Sequence, residues 1–166
     1  MALRAIVKIS PETLSDLLLA AQDRYLEGEE LLLQHRFDGS VYLFGYAAEM
    51  WLKAACLRLR AIGPTGHVKS ALGPLKQWMK QSAPGVNFTD FHDLSFYANC
   101  IWELRAALGR PLSIVLSTEM RVRIVDGLHE GWIVDMRYRR AGLAVDDAWN
   151  AMQSAWWLKT KWIDLA

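Results

Sequence analysis

The sequence predicts an all-α protein, an up-and-down bundle of four to five long helices with additional short helices. Apolar residues recur at the i, i+3, i+4 spacing of amphipathic helices over most of the chain. The segment Phe37–Arg60 is apolar nearly all round, which is typical of a helix in the middle of a bundle. No segment has an evident strand partner, so Ile114–Leu116 is also predicted to be helical despite its β-branched residues.

Length and composition predict one domain over residues 1–166, with a hydrophobic share of 52% and a charged share of 22%. The formal net charge of +1 provides no overall field that would attract nucleic acid. Ala5–Val7 lies between Arg4 and Lys8 and is too short for a signal segment. We therefore expect a cytoplasmic protein that does not associate with a membrane.

Two cysteines, Cys56 and Cys100, each lie within a helical apolar pattern, so we expect both to be buried. No second cysteine or histidine stands at the spacing of metal ligands. The sequence predicts neither a metal site nor a cofactor.

The first helix is predicted to begin at Ser10-Pro11, with serine as the N-cap, and to reach Gln34. Asp38 or Ser40 is predicted to cap the second helix, and the short break between the two helices predicts an antiparallel hairpin. The predicted buried stripe of the first helix consists of Leu14, Leu17, Leu18, Ala21, Tyr25, Gly28 and Leu32.

Gly63–Gly66 contains the strongest helix breakers and ends the hairpin. After it we expect one helical turn over Val68–Leu72 and a new helix starting at Pro74. Leu75, Trp78, Met79 and Ser82 are predicted to share one face of that helix.

The next helix is predicted to begin after Thr89 or Asp90 as N-cap and to end at Gly109, a C′ glycine. Ser113 or Ser117 is the predicted cap of the following helix, with an extension toward Met136 left open. The inward residues of these two helices are predicted to be Leu94, Tyr97, Ala98, Ile101, Leu104 and Leu108, then Met120, Ile124 and Leu128.

The last helix is predicted to begin near Val145, with Asp146 and Asp147 favourably placed at its N-terminus. Trp157 lies off the predicted buried stripe, and an exposed aromatic residue there would indicate a homodimer face. The predicted stripe consists of Val145, Ala148, Trp149, Met152, Ala155, Trp156 and Ile163.

Dinucleotide, P-loop, zincin and hydrolase motifs are missing from the sequence, so arginine, histidine and acidic residues remain as candidate functional groups. Arg123 and His129 have five residues between them on one predicted helix. The guanidinium could hold a phosphodiester while the imidazole moves a proton. The alternative is a solvated helix face, since this spacing also arises by chance.

A second cluster contains Arg137, Tyr138, Arg139 and Arg140. Three arginines with a tyrosine could bind phosphate or stack on a base. A charged, exposed helix end explains the same residues, because nearby acidic residues almost balance the arginines.

His92 and Asp93 stand at the start of a predicted helix, and Glu49 and Lys53 stand one turn apart on the second helix. An exposed histidine beside a capping aspartate is one interpretation of the first pair. Another is that His92 approaches Arg137 across the bundle and forms a polar pocket with it.

Several short motifs together resemble one family. They are Gly45–Glu49 with Leu52–Ala54, then His92–Leu94, then Trp132 followed by Met136–Tyr138. The combination resembles a HEPN domain, the helical module named for nucleotide-binding proteins of higher eukaryotes and prokaryotes. The resemblance implies a bundle of four long helices, commonly dimeric, often encoded beside a nucleotidyltransferase or within defence or toxin–antitoxin systems.

Family members that cut RNA without metal carry an arginine, usually a polar residue, and a histidine a few residues later. Arg137 would match that arginine, but Tyr138 takes the polar position and Gly142–Ala144 stands where the histidine belongs. The resemblance therefore implies a module without catalysis of its own that associates with nucleotide or RNA, with Glu49 and His92 in its polar cluster. The alternatives are a metal-independent endoribonuclease using Arg123 and His129, and a purely structural scaffold.

Overall fold

The computed structural model describes residues 12–82, 92–129, 132 and 142–166. Apart from an isolated bridge between Thr13 and His67, the regular structure of these residues is helical, which confirms the predicted all-α class. Within the described ranges, no helix combines the length and apolar character needed to cross a bilayer. The elements are α1 (Leu14–Leu33), α2 (Phe37–Leu59), α3 (Val68–Ser82), α4 (Leu94–Ala107), α5 (Ile114–Met120), the π-helical segment π1 (Arg121–Leu128) and α6 (Val145–Leu165).

Helix α1 begins at Leu14 because Thr13 and Asp16 form a capping box. The Thr13 hydroxyl accepts from the Asp16 amide at 3.2 Å, and the Asp16 carboxylate accepts from the Thr13 amide at 3.0 Å. The prediction of Ser10 as the cap was wrong, and Ser10 itself lies outside the described residues. The predicted stripe is confirmed as buried at Leu14, Leu17, Ala21, Tyr25, Gly28 and Leu32, with Leu18 half-buried.

Helix α2 lies at the centre of the bundle, and its buried residues are distributed around the whole helix. Arg36 is its N-cap, so the prediction of Asp38 or Ser40 was wrong; the Ser40 hydroxyl instead donates to the Phe37 carbonyl at 2.8 Å. Helices α1 and α2 form the predicted antiparallel hairpin, joined through His35 at φ 58°. Cys56 and Cys100 are fully buried, as predicted.

Helix α3 is continuous from Val68 to Ser82 and contains Pro74 within it. The predicted restart at Pro74 was therefore wrong. Proline removes one backbone hydrogen bond, and burial of Leu75 and Met79 in the core offsets that loss. Ser82, predicted to share their face, is exposed.

Helix α4 is capped by Asp93, whose carboxylate accepts from the Phe96 amide at 2.9 Å. The predicted caps, Thr89 and Asp90, lie outside the described residues and do not directly precede this helix. The predicted inward residues of α4 are buried except Leu108, which is 45% exposed because it is the C-cap.

The predicted C′ glycine of α4 is confirmed. Gly109 has φ 68°, and the amide of Arg110 donates to the carbonyl of Arg105 at 2.9 Å. The Gly109 amide donates to the Ala106 carbonyl, also at 2.9 Å, which completes a Schellman motif. Glycine adopts this left-handed conformation without steric cost.

Ser113 caps α5 by accepting from the Leu116 amide at 3.2 Å, and the segment is helical as predicted. The helix then continues as π1 to Leu128, and Trp132 lies beyond its regular part. Met120, Ile124 and Leu128 are buried as predicted. Met136 lies outside the described residues.

Helix α6 buries a different face from the predicted one. Trp157 is 4% exposed, whereas Trp149, Trp156 and Ile163 are exposed, so the predicted stripe was wrong at these positions. Small residues let α6 pack closely on α2, and the Trp157 indole donates to the Glu119 carboxylate at 3.1 Å. The buried face of α6 consists of Ala148, Ala151, Ser154, Ala155, Trp157, Leu158 and Leu165.

Candidate functional site

A carboxylate lies inside the bundle at the middle of α2. Glu49 is 2% exposed, because α2 is covered by other helices on nearly every side. Its Oε1 is paired with Nζ of Lys53, one turn further along the helix. Its Oε2 lies 2.8 Å from Nδ1 of His92, next to the start of α4. A buried charge needs such partners, since an unpaired carboxylate would lose its hydration without compensation.

Lys53 is buried as well, and its ammonium group also lies 5.2 Å from the centroid of the Tyr97 ring. Burial, and next to it the charge of Glu49, raises the pKa of Tyr97 far above its ordinary value. The Tyr97 phenol therefore stays neutral at any physiological pH. The Lys53 ammonium group is thus held by an ion pair with Glu49 and a cation–π contact with Tyr97.

Two histidine side chains lie near the start of α4. Asp93, the N-cap of this helix, has Oδ1 3.8 Å from Nδ1 of His129, which follows π1. This is an ion-pair distance and is too long for a hydrogen bond. The side chains of His92 and His129 are 33% and 36% exposed. Solvent thus reaches two imidazoles, one hydrogen-bonded to Glu49 and the other at ion-pair distance from Asp93.

Aromatic rings pack beside the His92 imidazole. Tyr46 makes edge-to-face contacts with the imidazole, at 5.7 Å between centroids, and with Trp132, at 5.5 Å. Trp132 is buried, and its indole donates to the Tyr42 carbonyl at 3.1 Å. Gly45 makes room for this indole, because a Cβ atom at that position would overlap the ring. Glycine at position 45 therefore lets the Trp132 indole pack against α2.

The predicted polar cluster is partly assembled by the described residues. Glu49 contacts His92 directly, and the adjacent Asp93 contacts His129. The pairing of Glu49 with Lys53 follows their spacing, but its burial was not predicted. The remaining predicted residues, Arg137, Tyr138, Arg139 and Arg140, lie outside the described residues, and their role stays a prediction.

Arg123 and His129 have different neighbours. Arg123 lines a cavity between π1 and α6, together with Asn150 and Gln153 of α6. His129 instead contacts Asp93 at the start of α4. The structure records no hydrogen bond or ion pair between these two described residues. Their spacing was interpreted on an α-helix, whereas the segment is π-helical and has a wider turn.

The residues offer little for a metal. In the described ranges, no group of three or more histidine, cysteine or acidic side chains is arranged to hold an ion.

Burial, and then the neighbouring Cys100, raises the pKa of the Cys56 thiol well above its ordinary value. Cys56 is therefore neutral and donates toward the Tyr97 carbonyl at 3.5 Å.

Comparisons of this chain with protein-family models, with curated proteins and with solved structures found no match.

Proposed function

We propose that this chain is a HEPN-like helical-bundle module that associates with RNA or nucleotides and has no catalysis of its own. The observation that carries the proposal is the pair of imidazoles near the start of α4, with His92 hydrogen-bonded to Glu49 and His129 3.8 Å from Asp93. About a third of each side chain is exposed, so both are accessible to a ligand in solvent.

The charge balance around Glu49 supports an anionic ligand. With His92 and His129 both protonated, the cations Lys53, His92 and His129 outnumber the carboxylates Glu49 and Asp93, which gives the cluster a net positive charge. The N-terminus of α4 contributes the positive end of a helix dipole at the same place. Phosphate groups fit both features. We propose Arg137, Tyr138, Arg139 and Arg140 as additional phosphate contacts on the strength of the sequence.

Binding of a fluorescently labelled single-stranded RNA, followed by anisotropy, tests the proposal. We expect His92→Gln and His129→Gln each to weaken binding by about tenfold, equivalent to about 1.4 kcal/mol. His67→Gln is the matched control, because His67 is exposed and lies in the loop beside Thr13. Equal affinity in all four proteins, with thermal unfolding unchanged, would refute the proposal. Flat titrations throughout would favour the structural scaffold.

A metal-independent endoribonuclease is the second candidate function. The proximity of the Asp93 carboxylate to the His129 imidazole favours it, since a carboxylate beside an imidazole is common in acid–base catalysis. Arg123 would hold the phosphate. This candidate predicts RNA cleavage that persists with a chelator and is abolished by His129→Ala. Intact RNA after prolonged incubation with high concentrations of the wild-type protein would exclude it.

We also propose that the protein forms a homodimer in the cytoplasm and associates with a nucleotidyltransferase or an antitoxin. The exposed indoles of Trp149 and Trp156 on α6 support an assembly surface. Size-exclusion chromatography with light scattering tests the dimer, with Trp156→Gln expected to shift the equilibrium toward monomer. A monomer at every concentration would contradict this part of the proposal.

A further inference from the structure

A cleft runs between π1 and α6, and none of its lining residues belongs to the histidine cluster. Its outer cavity has a volume of about 450 Å³, which is within the range of about 300–1,000 Å³ typical of small-molecule sites. An inner cavity of about 180 Å³ adjoins it. Gly127, Asn150 and Ser154 line both cavities, so the two are adjacent.

The basic group of the cleft lies in the outer cavity. Arg123 lies on the π1 side, opposite Asn150 and Gln153 of α6. Within the ranges that the structure describes, the Arg123 guanidinium has no recorded hydrogen bond or ion pair. The nearby Glu119 carboxylate has one oxygen engaged by the Trp157 indole. Arginine therefore provides the available charged donor, and a planar guanidinium suits a carboxylate or phosphate group.

The inner cavity is mostly apolar. Val41, Leu128 and Ala151 are buried and line it, with Leu143 at its edge. The Ser154 hydroxyl, on a residue only 8% exposed, is a polar group between the inner and outer parts. A ligand that fills both cavities thus needs an apolar body and one polar end.

The backbone of π1 shapes this cleft. π-helical segments are rare and occur frequently at functional sites. Within π1, a Cβ atom at Gly127 would lie 3.0 Å from the Val122 carbonyl oxygen, which is too close for ordinary contact. Glycine at this position therefore avoids a close contact within the π-helical turn, at a residue that lines both cavities.

We infer that this cleft binds a small organic anion whose apolar body occupies the inner cavity and whose single carboxylate or phosphate group pairs with Arg123. Asp147 lines the inner cavity and Glu119 the outer one, so two carboxylates flank the ligand. These negative charges disfavour a polyanion. The site is therefore selective for ligands with one anionic group over nucleoside triphosphates and RNA. Binding of such a ligand would be an activity separate from the proposed RNA association.

Isothermal titration calorimetry on the full chain tests the inference, with benzoate, adenosine 5′-monophosphate, adenosine 5′-triphosphate and inorganic phosphate as probes. We expect benzoate or the monophosphate to bind, with the triphosphate and inorganic phosphate at least about tenfold weaker. Binding of the monophosphate alone identifies a phosphomonoester ligand, and binding of benzoate alone identifies a carboxylate. If neither benzoate nor the monophosphate binds, the inference is overturned.

Paired arginine variants make the test specific. Arg123→Gln is expected to weaken the organic anion by about tenfold or more. Arg121→Gln is the matched control on the same segment, because Arg121 lies 5.5 Å from the Trp102 ring and outside the cleft. Asn150→Trp, at an exposed position shared by both cavities, is expected to abolish binding without unfolding the protein. Equal affinity in wild type and Arg123→Gln overturns the inference.

The RNA assay separates this site from the histidine cluster. His92→Gln should weaken RNA binding while it leaves the affinity for the organic anion unchanged, and Arg123→Gln should weaken the organic anion. If instead Arg123→Gln weakens RNA and no organic anion binds, the inference about the cleft fails and the proposed RNA association stands. If organic anions bind and RNA does not, the cleft stands and the RNA proposal fails.

Discussion

Helices α1 and α2 are neighbours in one hairpin and have similar lengths, 20 and 23 residues, yet they place charge very differently. On α1, Arg24 and Glu27 form a pair with side chains 41% and 47% exposed. On α2, Lys53 and Glu49 form a pair with side chains 10% and 3% exposed. Oppositely charged residues one turn apart on a helix therefore contribute differently to stability, depending on whether other helices cover the pair.

The largest expected effect concerns the buried pair. Lys53→Met leaves the buried Glu49 carboxylate with His92 as its remaining partner among the described residues, and should lower the free energy of unfolding by about 3–5 kcal/mol. Urea unfolding followed by circular dichroism measures the change. The double variant Glu49→Gln/Lys53→Met removes both charges and should recover most of the loss. A loss below about 1 kcal/mol in the single variant would mean that this buried pair contributes no more to stability than an exposed ion pair.

The packing of α2 provides the next effect. Gly45→Ala forces the Trp132 indole to move, because a Cβ atom there overlaps the ring, and should cost about 1–3 kcal/mol. Gly39→Ala is the control within the same helix, since its Cβ would meet only the end of the flexible Leu31 side chain. Thermal unfolding measures both variants. Equal stability of the two would mean that the indole has room to shift.

The start of α1 gives a smaller effect that depends on pH. Hydrogen bonds from Thr13 lower the pKa of Asp16 below its ordinary value of 3.8. The charged form is therefore favoured by folding, so its stabilisation is present above pH 3.8 and is lost as the pH falls through the lowered pKa. The melting temperature of Asp16→Asn should lie below that of wild type at neutral pH, and the difference should close in acid. A constant difference at every pH would contradict this assignment.

The smallest effect is expected on the exposed face of α1. Arg24→Ala removes the pair with Glu27 and should change the free energy of unfolding by only about 0.2–1 kcal/mol. The change should shrink further in high salt, because exposed charges are screened. A loss as large as that of Lys53→Met, measured by the same urea titration, would remove the contrast between the two helices.

The candidate site was predictable in part. Glu49 and His92 were expected in one polar cluster from the family resemblance, and the structure brings them into contact across 43 positions of sequence. No periodicity indicates such a contact, because it depends on how α2 and α4 cross. The arrangement of Arg123 was not predictable, since its segment winds as a π-helix rather than an α-helix.

The sequence alone determined the helical class, the hairpin, the buried stripe of α1 and the glycine stop at Gly109. These features follow from local spacing and from residues whose backbone preferences act over a few positions. Tertiary structure decided which face of α6 is buried, because Trp157 found an acceptor in Glu119 while Trp149 and Trp156 did not enter the core. It also decided that the Glu49 and Lys53 charges lie inside the bundle. Burial depends on which helices pack against α2, and the spacing of residues along one helix does not show this.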